Sequence, residues 1–308
     1  MELKIITGNA NRPLAESIVK NLGVELCKAQ ITRFSDGEIQ VKVDDNVRGA
    51  DCFIVQPTCM PVNEHLMELL IISDALRRAS ARKITAVIPY YGYGRQDRKA
   101  EPRVPITAKL VANLIVASGV TRVLSMDLHA GQIQGFFDIP VDHLYGTPVF
   151  LKHLTDKKYN DLVVVSPDAG GVERARAFAK HLNAELAIVD KRRPRPNEAA
   201  IMNIIGEVNG RTAIILDDLV DTAGTLTKVA AAIKDKGATE VYAAASHGVL
   251  SGAAIQRIEE SCIKELIITD SIPLARKSPK IEVLTIAPLL AEAIKRIYND
   301  ESVSELFV

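Results

Sequence analysis

IILDDLVDTAGTL, residues 214–226, is the stretch on which the reading of this chain turns. Ala213 to Leu216 is a β-rich apolar run, the signature of a short buried parallel strand. From Leu226 onward, Leu226, Val229, Ala230 and Ile233 recur at helical spacing. A strand-to-helix turn therefore lies between them. Backbone N–H groups at a helix start lack helical partners, and the local dipole is positive there. Gly224 lets a ligand approach the chain closely, and Thr222 and Thr225 add hydroxyl donors. Such a turn suits a phosphate monoester. Asp217 and Asp218, placed at the carboxyl end of the strand, can accept hydrogen bonds from vicinal hydroxyls or face a cation. Phosphate at one end and diol acceptors at the other describe a sugar phosphate. The competing reading makes Asp221 an acidic N-cap, with the threonines merely starting the helix. A cap leaves the two strand-end acids without a purpose.

Outward from this stretch, strand-like and helical segments alternate. LKIITG (3–8) precedes NRPLAESIVKNLG (11–23), DCFIVQP (51–57) precedes NEHLMELLIISDALRRA (63–79), and ITAVIPY (84–90) precedes ITAKLVANLIVASG (106–119). RVLSMDLH, LVVVSPDAG, AELAIVDK, TAIILDD, EVYAAASHG and ELIITDSI continue the series. This alternation predicts an α/β fold with mainly parallel sheets and ligands at the carboxyl ends of the strands. RVLSMDLHAGQIQGFF (122–137) and DLVVVSPDAGGVERARAF (161–178) form a faint repeat of strand, acid, Ala-Gly and helical start. At 308 residues the chain is long enough for two related halves, meeting near Tyr145–Pro148. The expected domains are 1–145 and 146–285.

Lys plus Arg and Asp plus Glu each number 38, so the formal net charge is zero. That argues against a nucleic-acid protein with a broad basic face. The mix is 47% hydrophobic and 25% charged, as in ordinary globular chains. Cys27, Cys52, Cys59 and Cys262 make no CxxC pair, so neither a zinc cluster nor a disulfide framework is expected. Reduced thiols and the cytoplasm fit this usage. The N-terminus does not read as a secretory signal, and no apolar stretch is long enough to span a bilayer.

Further polar stretches punctuate the strand ends. In SPDAGG (166–171), Asp168 precedes Ala169 and a Gly170-Gly171 pair that can cradle a second phosphate with backbone N–H groups, or simply make a tight turn. Its counterpart DLHAG offers Asp127 and His129. His129 and Asp168 occupy matching positions in the repeat and are candidate Mg²⁺ neighbours, the acid being the harder ligand. KRRPRPNEA (191–199) is basic and proline-rich. It is either a solvated charge run or a lid whose Lys191 and Arg193 close on a polyphosphate and exclude water. PYYGYGRQDRKAEPR (89–103) carries Arg95 and Gln96, suited to a nucleotide, whereas single-stranded nucleic acid is disfavoured by the balanced charge. FSDGE (34–38), taken alone, is an Asp-Gly turn.

LDDLVDTAGT (216–225) resembles the phosphoribosyl-diphosphate-binding motif of type I phosphoribosyltransferases. Together with FSDGE, YGYGRQDRK (91–99), SMDLHAGQIQGFFDIPVDHLY (125–145), SPDAGG, DKRR (190–193) and SVSELF (302–307), it makes essentially the whole chain resemble the ribose-phosphate pyrophosphokinases. The resemblance implies two tandem phosphoribosyltransferase-like (Rossmann-like) domains, the first without its own sugar-phosphate loop, and a C-terminal segment 286–308 packed back on the first. It implies that Asp217, Asp218, Asp221, Thr222, Ala223, Gly224 and Thr225 bind ribose 5-phosphate, and that Asp168, Ala169, Gly170 and Gly171 form a diphosphate loop. Arg95, Gln96 and His129 would hold ATP, with Phe34, Asp36, Gly37 and Glu38 reaching it from a neighbouring subunit. His129 and Asp168 would face Mg²⁺, and Lys191 and Arg193 would serve catalysis. Arg48, Arg103, Gln134, Ser302 and Ser304 would form an anion pocket between subunits of a homohexamer, answering to phosphate and ADP. The same serines could instead merely cap or solvate the C-terminal segment. The implied reaction passes the diphosphoryl group of ATP to the C1 hydroxyl of ribose 5-phosphate, releasing AMP. The rivals are a phosphoribosyltransferase, which would not need RQDRK and FSDGE, and a non-catalytic regulatory partner, which should lack a competent basic loop.

Overall fold

Parallel strands buried on both faces need helices against each face, and the apolar runs of this chain are placed accordingly. The computed structural model describes residues 2–157, 159, 161–192 and 201–307. The chain divides into two compact units, one of Met1–Tyr145, Ser271–Pro273 and Thr285–Val308, the other of Gly146–Asp270 and Leu274–Leu284.

In the first unit the order is β1 (Leu3–Thr7), α1 (Arg12–Leu22), β2 (Ala29–Arg33), β3 (Ile39–Val43), β4 (Asp51–Val55), α2 (Val62–Arg78), β5 (Lys83–Ile88), α3 (Thr107–Ala117), β6 (Arg122–Met126) and β7 (Val141–Leu144). Five of these strands form a parallel sheet in the order β1-β4-β5-β6-β7. Every residue of β4 is buried, which is why DCFIV reads as an unbroken run rather than an alternating one. Leu66, Leu69, Ile72 and Leu76 of α2 join Val111 and Ile115 of α3 over Ile54, Ala86 and Ile88. The α1 helix is delimited as its sequence dictates. Asn11 accepts the Leu14 N–H at the start, and Gly23, at φ 69°, closes the end. The ribbon β2–β3 stands apart from the main sheet as an antiparallel pair.

The second unit runs α4 (Thr147–Lys157), β8 (Leu162–Ser166), α5 (Val172–His181), β9 (Glu185–Arg192), β10 (Ile201–Ile205), β11 (Thr212–Val220), α6 (Gly224–Asp235), β12 (Glu240–Gly248), α7 (Ala254–Glu260), β13 (Leu266–Thr269) and β14 (Ile281–Leu284). Its sheet has the order β10-β9-β8-β11-β12-β13-β14, parallel except for the β10–β9 pair. Alternation along the strands distributes the core. Val163 and Val165 of β8 and Ala213 and Ile215 of β11 meet α6 and α7 on one face. Val164, Ile214 and Leu216 meet Phe150 and Leu154 of α4 and Phe178 of α5 on the other. Each fully buried Val, Ile or Phe among them contributes roughly 1.5–3 kcal/mol. The chain then returns to the first unit, where α8 (Ala287–Tyr298) packs on α1. Among the described residues no helix is long and apolar enough to cross a membrane.

Two expectations change. The strand of the deciding stretch is Thr212–Val220, not Ala213–Leu216, and its helix begins at Gly224, two residues before the apolar periodicity starts. The helical start read after DLHAG is a 3-10 helix, Gly131–Phe136, where the matching segment of the second unit is the α-helix α5.

Candidate active site

Asp217 and Asp218 lie within β11 because pairing with β12 continues to Val220, opposite Gly248. The register skips Asp218, with Asp217 facing Ala245 and Leu219 facing His247. Asp217 Oδ1 accepts the Asp218 N–H at 2.9 Å, and the Asp218 carboxylate lies 3.6 Å from the Arg174 guanidinium of α5. Adjacent carboxyl groups taken out of water do not both ionise readily. Burial first, then Asp218, pushes the Asp217 carboxyl up to about 8, and Asp168 adds to the rise. The sequence presents the pair as acceptors for vicinal hydroxyls or as partners of a cation. A carboxyl raised in this way can donate a hydrogen bond as well as accept one while it holds its proton.

The turn that follows is not closed by an acidic cap. The N-cap of α6 is Ala223, in the left-handed region at φ 61° with no side-chain capping bond. The Asp221 carboxylate is engaged elsewhere, accepting a hydrogen bond from the Ser251 hydroxyl. The first intrahelical bond runs from Thr227 N–H to the Ala223 carbonyl at 3.0 Å, so the N–H groups of Gly224 and Thr225 precede the helical ladder. Thr222 and Thr225 are exposed while Ala223 is buried. A left-handed non-glycine residue costs roughly 1–3 kcal/mol and persists where its surroundings impose it.

The loop after β8 is also built around a carboxylate. Asp168 Oδ1 accepts the Gly171 N–H at 3.0 Å, and the Asp168 carbonyl accepts the Ser166 hydroxyl at 2.8 Å. Asp168, Ala169 and Gly170 are exposed and Gly171 opens α5. Lys191 lies near the end of β9, its backbone paired with Met202 of β10, and Arg192 pairs with Ile201. Arg193 and the rest of the basic stretch, up to residue 200, lie outside the described residues.

In the first unit, FSDGE is the tip of the β2–β3 ribbon. Phe34 N–H donates to the Glu38 carbonyl at 2.8 Å, Gly37 N–H to the Phe34 carbonyl at 2.9 Å, and Glu38 N–H to Asp36 Oδ1 at 3.0 Å. Gly37 sits at φ 94°, where a side chain would be strained. Phe34 is 50% exposed at this tip, a large aromatic held in solvent. Arg95 and Gln96 follow β5 and His129 follows β6. These strands are adjacent and parallel, so both loops emerge at one carboxyl edge. A Cβ on Gly94 would stand 3.7 Å from His129 Cβ, and Gln132 Nε2 donates to Asp97 at 3.1 Å. Gln96 Oε1 accepts the Thr107 hydroxyl at 2.5 Å. Arg95, Gln96 and His129 are all exposed.

Arg48, Arg103, Gln134, Ser302 and Ser304 all belong to the first unit and are exposed. The Arg48 N–H donates to Asn46 Oδ1 at 3.1 Å, and Arg103 has a left-handed backbone at φ 67°. Ser304 N–H donates to the Ser302 hydroxyl at 3.2 Å, opening the 3-10 helix Ser304–Phe307. Among the described residues, no group of three or more His, Cys, Asp and Glu side chains gathers into a metal-ligand set. Sequence reasoning missed Arg174, Ser251 and Arg257, which brace the second unit's loops. The only trace of the last two is the polar break VLSG after β12.

A helix-opening DDLVDTAGT turn at the carboxyl edge of a parallel sheet, in a chain of two α/β units, defines a protein of the phosphoribosyltransferase fold class. Residues 3–119 match the N-terminal domain of ribose phosphate pyrophosphokinase, and residues 190–308 match the phosphoribosyl synthetase-associated domain. The chain is 60% identical over 308 residues to a ribose-phosphate pyrophosphokinase of Caldanaerobacter subterraneus subsp. tengcongensis, covering 99% of this chain and 98% of that one. It is 57% identical over 307 residues to the Bacillus cereus ribose-phosphate pyrophosphokinase, covering 99% and 97%. The crystal structure of phosphoribosylpyrophosphate synthetase from Mycobacterium smegmatis superposes with a TM-score of 0.93 at 40% identity, covering 97% of this chain and all of that one. The chain belongs to the ribose-phosphate pyrophosphokinase family of enzymes.

Proposed function

We propose that this enzyme transfers the diphosphoryl group of ATP to the C1 hydroxyl of ribose 5-phosphate, giving 5-phospho-α-ribose 1-diphosphate and AMP. The observation that carries the reading is the 217–225 segment. It sets a carboxyl pair suited to vicinal hydroxyls at one end and a helix start without a side-chain cap, suited to a phosphate, at the other. Thr222, Ala223, Gly224 and Thr225 hold the 5-phosphate, while Asp217, Asp218 and Asp221 serve the sugar side. Asp168 to Gly171 cradle the diphosphate. Arg95, Gln96 and His129 hold ATP, with Phe34, Asp36, Gly37 and Glu38 supplied to a neighbouring subunit's nucleotide. Lys191 and Arg193 neutralise charge on the transferring group. The C1 oxygen attacks the β-phosphorus in line, the bond from that phosphorus to the oxygen bridging the α-phosphate breaks, and AMP leaves. Positioning and charge neutralisation supply most of the acceleration.

Mg²⁺ fits the donors present. Asp168 is an exposed hard-oxygen ligand, His129 sits on an exposed loop, and this ion takes one or two protein ligands with water and phosphate oxygens completing the shell. Bound beside Asp168, it would offset the negative charge of the phosphates. The working form is a cytoplasmic homohexamer regulated by phosphate and ADP through Arg48, Arg103, Gln134, Ser302 and Ser304. The test is direct. Purified protein with Mg²⁺, ATP and ribose 5-phosphate should form AMP in step with a ribose diphosphate. ADP formation, or AMP release independent of the sugar, contradicts the reading.

A further inference from the structure

Three consecutive carbonyls of the sugar-phosphate turn are tied to one neighbouring segment. Leu250 N–H donates to the Val220 carbonyl at 3.0 Å and Ser251 N–H to the Asp221 carbonyl at 3.1 Å. The Arg257 guanidinium, from the last turn of α7, donates to the Thr222 carbonyl at 2.7 Å. The Ser251 hydroxyl adds a bond to the Asp221 carboxylate. In a regular strand successive carbonyls point to opposite sides. Here all three face residues 250–257. These peptides are trans, so the N–H following each carbonyl points the other way. Fixing the Asp221 and Thr222 carbonyls therefore turns the N–H groups of Thr222 and Ala223 to the opposite side. There they lead directly into the helix-start N–H groups of Gly224 and Thr225. A run of N–H groups turned to one side can form an anion-binding nest. The left-handed Ala223 is the residue on which this reversal hinges. Leu250, in the bracing segment, is also left-handed, at φ 49°.

We infer that Ser251 and Arg257 are positioning residues for the sugar phosphate, holding the turn from behind so that its N–H groups converge on the phosphate. They act through the backbone and the Asp221 side chain of the turn. Arg257 also brings a positive charge behind the site, at the Thr222 carbonyl. This inference rests on the turn being the 5-phosphate site, so its test includes a residue of the turn itself.

Steady-state kinetics on the full chain should compare Arg257→Gln, Arg257→Lys, Ser251→Ala and Thr225→Val, with KM measured separately for ribose 5-phosphate and ATP. Arg257→Gln should raise KM for ribose 5-phosphate about tenfold, because a charge-assisted bond is lost, and raise KM for ATP much less. Arg257→Lys keeps a charged donor and should recover most of the affinity. Ser251→Ala should act in the same direction with a smaller effect. Equal rises in both KM values, or a fall in kcat alone, would make Ser251 and Arg257 merely structural and overturn the inference. If Thr225→Val weakens ribose 5-phosphate while the Arg257 and Ser251 variants do not, the inference fails and the phosphate site stands. If no variant discriminates between the substrates, both fail.

Discussion

Asp217→Asn is the substitution whose effect follows most directly from the structure. The Asp217 carboxyl, driven by burial and by Asp218, titrates at about 8 in the folded chain against an ordinary value of 3.8. Between those values the native state holds a proton that the unfolded state has lost. Stability is then fully present below the unfolded value, falls as pH rises, and levels off once the folded carboxyl ionises. One proton of difference changes the free energy of unfolding by ~1.4 kcal/mol per pH unit. For a chain of this size a kilocalorie moves the melting temperature by roughly 2–4 °C. Between about pH 6 and 7 this one group should lower the melting temperature by roughly 3 °C. Asparagine keeps the shape and hydrogen-bonding capacity of the protonated acid but cannot ionise. Titrating groups away from the acid pair are common to both proteins, so the difference between their pH profiles reports on the pair. Thermal unfolding followed by circular dichroism across this range should show the variant losing less stability than the parent, and exceeding it at alkaline pH. Parallel profiles would refute the raised Asp217 carboxyl.

Other outcomes follow from the remaining sites. Lys191→Ala should lower kcat by about two orders of magnitude with both KM values roughly retained, since a charge aimed at the transition state is lost; stopped-assay turnover checks this. Phe34→Ala, at the half-exposed ribbon tip, should weaken ATP without weakening ribose 5-phosphate, read by isothermal titration. Gly8→Ala would place a Cβ 2.3 Å from Gln56 Oε1, and that amide is pinned by Glu68 at 2.8 Å, so roughly 1–3 kcal/mol of stability should be lost in a denaturant titration.

Apolar periodicity revealed most of the parallel strands because those strands are buried on both faces, as DCFIV and TAIIL show. It missed β2 and β3 because AQITR and IQVKV are half solvated and lie outside the main sheet. The Asp-Gly reading of FSDGE described the ribbon's tip without its strands. The deciding stretch was legible as a ligand turn, but its boundaries were not. β11 runs on through two acids, which no propensity favours, because β12 supplies backbone partners as far as Gly248. The protonation of Asp217 and the bracing by Ser251 and Arg257 were illegible for a related reason. The first follows from burial in the folded sheet, which acts on Asp217 before its neighbour Asp218 does, and the second from the distant β12–α7 connection.

The central claim is that the C1 oxygen of ribose 5-phosphate attacks the β-phosphorus of ATP, and an isotope label tests it most directly. Ribose 5-phosphate carrying a heavy oxygen isotope at C1, whose exchange with water is controlled in parallel, is incubated with the enzyme, Mg²⁺ and ATP, and the products are analysed by phosphorus NMR and mass spectrometry. The expected result places the label in the oxygen bridging C1 and the new diphosphoryl group, with AMP unlabelled. Label appearing in AMP or in water beyond the exchange control, or a product carrying a single phosphoryl group at C1 with ADP released, would contradict it.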